Sequence, residues 1–546
     1  MGVIRWWVLP WLAQVAVGGV IGLITAGVAI GVGELFAVIT GPGSVPVVAV
    51  GAAVIDLTPT STQDYAIRSF GTSDKAVLLA GILILLGAIA VVAGTQALRR
   101  PWLGAAIVVG FGAMGAVAAT TRPGAGISAM WPSVAGALAG TAAMLLLVLL
   151  YRRGWPPEAA EAEPAEPAEG VEAAEAAEAE GGAPAPSPAE ARSRRGFVAV
   201  GAGSAAAAAL AGFGGRALLS SRYDVSAARA AVRIPTPTHR AAPVPPAAHP
   251  AVAGLSPFFT PTDAFYRVDT ALVLPQVDPR SWALRIRGMV DRPIELSFDD
   301  LLHQPLDEHD LTLSCVSNEV GGPLVGNARW IGASLAGLLR MAGVRAGADQ
   351  LVGRSADGFT TGTPLEAVLD GREGLLAVAM NGEALPVVHG FPCRMLVPGF
   401  YGYAGATKWV VDLELTTFAA FDPYWVRRGW DRYGPMKTAS RIDVPQGSAR
   451  LTTGPVTVAG VAWATHRGIE AVEVRIDGGA WAQAQLADAD GSDVWRQWTY
   501  DWLATPGTHR IEVRATDGTG AVQPETRLPP FPSGSTGWHT IVVTVS

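Results

Sequence analysis

The sequence predicts an α-helical membrane-spanning region, then a soluble α+β domain, then a C-terminal all-β sandwich of the immunoglobulin-like type. Three observations predict this order. The long apolar runs all lie before residue 220. Between about Leu255 and Phe421, short alternating runs mix with helix-like stretches. Beyond Arg441 only strand-like runs remain, separated by turn residues at regular spacing. A charged fraction of 16 % and a mean hydropathy of +0.31 therefore average two unlike halves and describe neither.

Five stretches are long enough to cross a hydrocarbon layer of roughly 30 Å. They are about 11–38, 75–98, 102–120, 132–151 and 197–219. Val45–Ile55 is apolar but short and bracketed by Gly41, Pro42, Pro46 and Asp56, which predicts a re-entrant or interfacial segment rather than a sixth span. Positive charge gathers at Arg99 and Arg100, at Arg152 and Arg153, and at Arg192, Arg194 and Arg195, so these loops are expected in the cytoplasm. With Arg5 also inside, five crossings place everything after about residue 220 on the extracytoplasmic side.

Between the fourth and fifth spans, Glu158–Ala191 is an Ala, Glu and Pro tract with almost no large apolar residue. It is expected as a solvated linker within residues 154–196, with a transient helix as the alternative. Ser193-Arg194-Arg195-Gly196-Phe197-Val198 resembles a twin-arginine export signal set in mid-chain, of the kind that carries folded, cofactor-loaded domains. The same arginines equally suit the cytoplasmic end of a span. The first histidine is His239, which excludes bis-histidine haem in the spans, and no C-x-x-C-H motif is present. A quinone site, a docking surface for a partner and a plain anchor all stay open for this region.

Pro235–Pro250 is rich in Pro and Ala and is expected, within residues 220–254, as an extended tether. The runs Trp282–Gly288 and Leu311–Val316 are expected as strands and Ser334–Gly343 as a helix, inside a domain over residues 255–436. The runs Val456–Val461, Ala471–Ile476 and Thr508–Ala515 are expected as strands of the sandwich over 437–546. A net charge of -7, with no basic surface, argues against nucleic acid as a partner. Two cysteines, Cys315 and Cys393, exclude any site needing several thiolates from one chain; one disulfide stays open.

A thiolate is a strong, soft metal ligand, and Cys315 ends the run Thr312-Leu-Ser-Cys, with Asn318 and the Gly321-Gly322 turn close behind. Alone, such a cysteine equally suits a buried small hydrophobe. Its company is more specific. The segment His389-Gly-Phe-Pro-Cys-Arg-Met-Leu-Val-Pro-Gly-Phe-Tyr-Gly, continuing to Lys408-Trp409 and Val411-Asp-Leu-Glu-Leu, closely resembles the cofactor-clasping segment of sulfite-oxidase-type molybdenum enzymes. Met380-Asn-Gly-Glu-Ala-Leu-Pro, Phe265-Tyr266-Arg267 and the Trp330-Ile-Gly-Ala-Ser-Leu run resemble the same family. The C-terminal strands, with Gly454-Pro-Val-Thr-Val-Ala-Gly-Val-Ala-Trp and Ala515-Thr-Asp-Gly, resemble its dimerisation domain. The resemblance covers about residues 255–546.

It implies a molybdenum–molybdopterin cofactor with Cys315 as the thiolate on the metal. Asp263, Phe265, Tyr266 and Arg267 would then line the pterin, Arg267 also standing near the substrate. Ser355, Ala406 and Thr407 would make further contacts to the cofactor. The cofactor ends in a phosphate, which fixed cations and donors among glycines can hold, and His389, Arg394 and Lys408 are of that kind. The resemblance also implies two-electron chemistry with movement of an oxygen atom to or from a small substrate.

Two departures bear on that substrate. Where sulfite oxidases follow the cysteine with Asn-Arg-Arg, this chain has Asn318-Glu319-Val320, and Phe359 stands where the family has a tyrosine. A carboxylate in place of arginines opposes a doubly charged oxyanion, so sulfite is not the expected substrate. No stretch resembles a cytochrome b5 module, and electrons are expected to pass through a separate carrier, whether quinone, cytochrome or membrane redox protein. A reductase of the kind that repairs oxidised methionine and a degenerate binding module that has lost catalysis are the competing expectations.

Overall fold

The computed structural model describes residues 3–59, 62, 74–122, 125–155 and 187–546, with side chains from residue 13 onward. It divides into two compact units, Met1–Asp224 and Val225–Ser546. Most of the Glu158–Ala191 tract, with its linker and transient-helix readings, lies outside the described residues.

The first unit is helical: α1 (Val3–Thr40), α2 (Pro46–Leu57), α3 (Asp74–Arg99), α4 (Pro101–Thr120), α5 (Trp131–Gly154) and α6 (Pro188–Tyr223). Among the described residues, five helices are long and apolar enough to cross a membrane, in the regions the sequence pointed to. At 12 residues, α2 is only roughly 18 Å long, which explains why Val45–Ile55 does not add a span. Small residues set the packing: a side chain on Gly22 of α1 would meet the Ala90 carbonyl of α3. The expected fifth span, 197–219, is a correction in extent. The helix starts at Pro188, because Arg192, Arg194 and Arg195 are good helix formers continuous with the apolar run. Arg194 Nε donates to the Gly154 carbonyl at 2.7 Å, closing the end of α5.

The second unit holds four sheets. One consists of β1 (Ala283–Gly288), β2 (Ile294–Ser297), β5 (Gln350–Ser355), β6 (Thr360–Pro364) and β10 (Val410–Thr416), in the order β2-β1-β10-β5-β6. Another runs β3-β4-β7-β8, with β3 (Leu306–Ser314), β4 (Val325–Ser334), β7 (Leu375–Met380) and β8 (Glu383–Ala384). The short β9 (Arg394–Leu396) pairs with β7. Leu335–Ala342 forms the expected helix; Ser334 caps its start by accepting from Gly337 N, and Gly343 follows its end.

The C-terminal region is all β. Its sheets run β11-β13-β17-β16 and β12-β19-β18-β14-β15. The strands are β11 (Ala439–Val444), β12 (Arg450–Leu451), β13 (Gly454–Trp463), β14 (Ile469–Ile476), β15 (Ala482–Gln483), β16 (Gln485–Leu486), β17 (Arg496–Ala504), β18 (Gly507–Asp517) and β19 (His539–Val545). Val458 and Trp498 from one sheet and Val472, Val513 and Val543 from the other share one core, so the two sheets are layered face to face.

The two domains of this unit are not loosely strung. Val461, Trp463, Val494 and Trp495 of the β region belong to the α+β core. Trp495 N donates to Thr312 Oγ1 at 2.8 Å and its indole to the Phe258 carbonyl at 3.0 Å. These bonds fix β3, the strand that leads into Cys315.

The tether expectation is corrected as well. Pro235–Pro250 is irregular but fastened: Thr238 N donates to Leu306 O at 2.7 Å, Glu308 N to His239 O at 2.9 Å, and Ala248 is 1 % exposed. Proline supplies no donor there, yet the non-proline amides find β3, which satisfies backbone that composition alone suggested would be solvated.

Candidate cofactor site

Cys315 stands one residue past β3, 9 % exposed, with its N–H on the Leu324 carbonyl at 2.9 Å. The loop after it is self-braced: Asn318 N donates to Cys315 O at 3.1 Å, and Asn318 Oδ1 accepts from Leu324 N at 2.9 Å. Both cysteines are free and buried, so the disulfide left open by the sequence is not formed.

Around it gather side chains from distant parts of the chain. Phe265 stacks on Tyr266 at 5.3 Å between ring centres and meets the edges of Trp330 at 5.9 Å and His389 at 5.6 Å. Arg394 lies over the fully buried Trp330 at 5.5 Å. Gly390 has φ of +115°, and a Cβ there would stand 3.1 Å from Lys408 Cα and 3.2 Å from Arg394 Cβ. Glycine at this position therefore allows the two cation-bearing segments to approach. His389 Nε2 lies 3.1 Å from the Thr262 carbonyl.

Lys408 Nζ pairs with Asp269 at 2.9 Å, and Arg267 Nε reaches the same carboxylate oxygen at 2.9 Å. Asp269, which sequence reasoning missed, is thus the anion between two of the expected cations. Its signal was local and faint, a carboxylate two residues beyond Arg267. Thr407 shares a 2.7 Å hydrogen bond with Thr361, another missed residue, and both crowd Gly353. Ala406 packs in the same apolar cluster as Phe265 and Trp330.

Two expected residues stand apart. Asp263 is exposed in the turn closed by Ala264 N on Pro261 O, and no contact draws it to the cations. Ser355 ends β5 and is buried, its hydroxyl accepting from Asp357 N at 3.4 Å within a local turn. Phe359 packs on Tyr424 at 5.5 Å.

Burial dominates the electrostatics. It lowers His389 to a pKa of about 4, helped by the Arg394 charge, and Lys408 to about 8, against the pull of Asp269. Arg394 falls to about 10 through burial, with Tyr266 acting the other way. The Cys315 thiol is pushed up by burial, while hydrogen bonding from Ser317 and the Lys408 charge oppose this. Tyr266 is raised by burial and by the neighbouring Cys315.

Residues 271–425 match the family model described as the oxidoreductase molybdopterin binding domain. Mouse mitochondrial sulfite oxidase is 29 % identical over 340 residues, which is 53 % of this chain and 62 % of that protein. The human mitochondrial enzyme is 30 % identical over 349 residues, with the same two shares. The chain thus spans 62 % of the length of these curated relatives. The solved sulfane dehydrogenase SoxCD from Paracoccus pantotrophus aligns with a TM-score of 0.47 at 24 % identity, over 54 % of this chain and 85 % of its own.

The residues present fit a molybdopterin cofactor. Arg394 is 6 % exposed; among the described residues its Nε has no hydrogen-bond partner, and its one side-chain hydrogen bond is a long one of 3.4 Å to the His389 carbonyl. A buried guanidinium so poorly paired is costly unless an anion joins it. Among the described residues no group of three His, Cys, Asp or Glu side chains is placed to hold an ion.

Proposed function

We propose that this chain, a sulfite-oxidase-type molybdopterin oxidoreductase, is anchored in a membrane by its helical unit and works on the extracytoplasmic side, on a small substrate other than sulfite. The under-paired, buried Arg394 is the observation that carries the enzyme reading, since a module that had lost its cofactor would be expected to lose that charge or to pair it. When bound, molybdenum–molybdopterin supplies two-electron redox chemistry with transfer of an oxygen atom.

The chain's own groups hold and orient. Arg394 and Lys408, with the neutral donor His389, would receive the anionic end of the cofactor, and Tyr266 and Phe265 would pack along its ring system. Cys315 would bind the metal as thiolate, metal binding displacing its proton although burial favours the thiol. Asp269 keeps Lys408 charged and holds Arg267 in place.

The substrate follows from charge. In the loop behind Cys315, Glu319 is exposed and no arginine is present, which favours a neutral or weakly charged substrate. Reduction of a neutral sulfoxide, such as oxidised methionine, is the second reading that this observation favours. The parity of five spans and the positive loops support the extracytoplasmic placement, and the twin-arginine-like stretch suits delivery of a folded domain. The C-terminal region is proposed as an immunoglobulin-like dimerisation domain and a separate carrier as the electron partner.

The test is molybdenum and pterin content of the full-length chain from a cofactor-producing host, beside Cys315→Ser. Near one molybdenum per chain, with altered metal coordination in the variant, is the expected result. A well-folded parent without metal or pterin would turn the reading to a binding module. Assays with sulfite and with methionine sulfoxide then separate the two enzymes.

A further inference from the structure

Membrane-spanning helices rarely bury a carboxylate without a use for it. Glu34, near the C-terminal end of α1, is 6 % exposed and meets Arg216 of α6 at 3.8 Å, an ion pair too long for a direct hydrogen bond. The two helices run parallel here because their faces are small: a Cβ on Gly31 would contact Ala208 O at 2.6 Å, and one on Gly215 would contact the Glu34 backbone at 2.9 Å.

Beside the pair lies a cleft of about 540 Å³ between α1, α2, α3 and α6. Glu34 and Arg216 are its charged residues; the other walls are aliphatic or small apart from Phe213, with Leu79, Leu83 and Val47 among the larger side chains. The volume falls in the range of cofactor and small-ligand pockets, roughly 300–1,000 Å³.

We infer that this cleft binds a quinone-type electron carrier, its ring against the apolar walls and its oxygens toward Arg216 and Glu34. Charge selects this occupant. An anionic lipid headgroup would be drawn to Arg216 but repelled by Glu34, and a plain acyl chain would leave both charges facing hydrocarbon. A quinone head is neutral in both redox forms. Its carbonyl oxygen accepts from Arg216, and in the quinol form its O–H can donate to the Glu34 carboxylate. Arg216 is also only eight residues before Asp224, where the helical unit gives way along the chain to the unit bearing Cys315. The inference rests on the proposed membrane anchoring and on the need for a separate carrier.

The experiment uses the full-length chain in phosphatidylcholine nanodiscs, titrated with decylubiquinone and with its quinol, against empty nanodiscs. Saturable binding near one per chain is expected. Leu83→Trp, which narrows the cleft from a side chain that is 49 % exposed, should weaken it at least tenfold. Leu138→Trp, on a helix that does not line the cleft and 65 % exposed, should leave it unchanged. Glu34→Gln should weaken quinol more than quinone.

Binding no greater than in empty discs overturns the inference, as does unchanged binding in Leu83→Trp. Displacement of the probe by equimolar phosphatidylglycerol overturns it in favour of a lipid site. Molybdenum measured on the same preparation keeps the two readings apart: metal without quinone binding strikes the cleft alone, and quinone binding without metal strikes the enzyme reading alone.

Discussion

Buried charge is handled in opposite ways at two places in the second unit. In the β region, Glu512 is 1 % exposed and takes Arg475 at 2.7 Å on one oxygen and Arg510 at 2.6 Å on the other. Asp517, 2 % exposed, accepts from Arg467, Thr438 and Thr519. In the α+β domain, the Arg394 side chain has, among the described residues, a single long bond to a carbonyl and an orphaned Nε. The first arrangement is finished within the chain and serves the fold; under the proposed function the second is left open for an anion from outside it. A buried charge must be compensated, so the two arrangements predict different responses to mutation and to the cofactor.

The contrast breaks if either set behaves like the other. Glu512→Ala should have the largest effect, lowering stability by about 3 kcal/mol because it strands the largely buried Arg475, yet leaving molybdenum content of the folded chain unchanged. Thermal unfolding of the solubilised chain beside metal analysis checks both halves. Loss of metal from folded protein would erase the distinction.

Protonation sharpens it. His389, with a pKa near 4 when folded, binds fewer protons than the unfolded chain between about pH 6.5 and 4, so stability falls as pH drops through that window. The full effect is about 3 kcal/mol for the cofactor-free protein. His539 in the β region is lowered to about 4 as well, by burial and then by Arg441, and contributes a slope of the same sign. A bound anion would favour protonated His389 and shrink its share, leaving that of His539. Hydrogen exchange of the second unit across this range, with and without cofactor, should therefore show a slope roughly halved on loading. His389→Gln should show the same reduction without cofactor.

Arg394→Met has a smaller effect, and its sign depends on loading. Removing a poorly paired buried charge should leave the cofactor-free chain as stable or about 1 kcal/mol more so, while cofactor retention falls about tenfold to a hundredfold. Measured destabilisation of the empty variant would mean that Arg394 is a structural charge after all.

The long apolar helices and the family resemblance were legible because their signals are local. An apolar run or a segment such as His389–Lys408 carries its meaning within one stretch of chain. Asp269 escaped because its partner Lys408 is 139 positions away, and only the fold brings the carboxylate to the amine. Asp263 shows the converse: it adjoins the Phe265–Arg267 motif in sequence, and the turn at Pro261–Ala264 leaves it exposed. The tether was misread because proline content reports missing donors, not the acceptors on β3 that the remaining amides find.

Asp269 gives the finest test, because it sits where the two kinds of buried charge meet. Its side chain is 3 % exposed and finished like those of the β region, with Lys408 and Arg267 on one oxygen, yet its partner Lys408 is one of the cations expected to receive the cofactor. Burial already lowers Lys408 to about 8, and Asp269 works against that shift. In Asp269→Asn the support is lost, so Lys408 should release its proton at lower pH. The cofactor's anion needs the protonated amine, and its retention should therefore fall off at correspondingly lower pH in the variant. At the acidic end of the range the order should reverse, since Lys408 is charged in both proteins and the variant presents one negative charge fewer to the anion. Retention measured from pH 6 to 9 should give two curves that cross. Parallel curves would mean that Asp269 only braces Arg267, and that Lys408 takes no part in holding the cofactor.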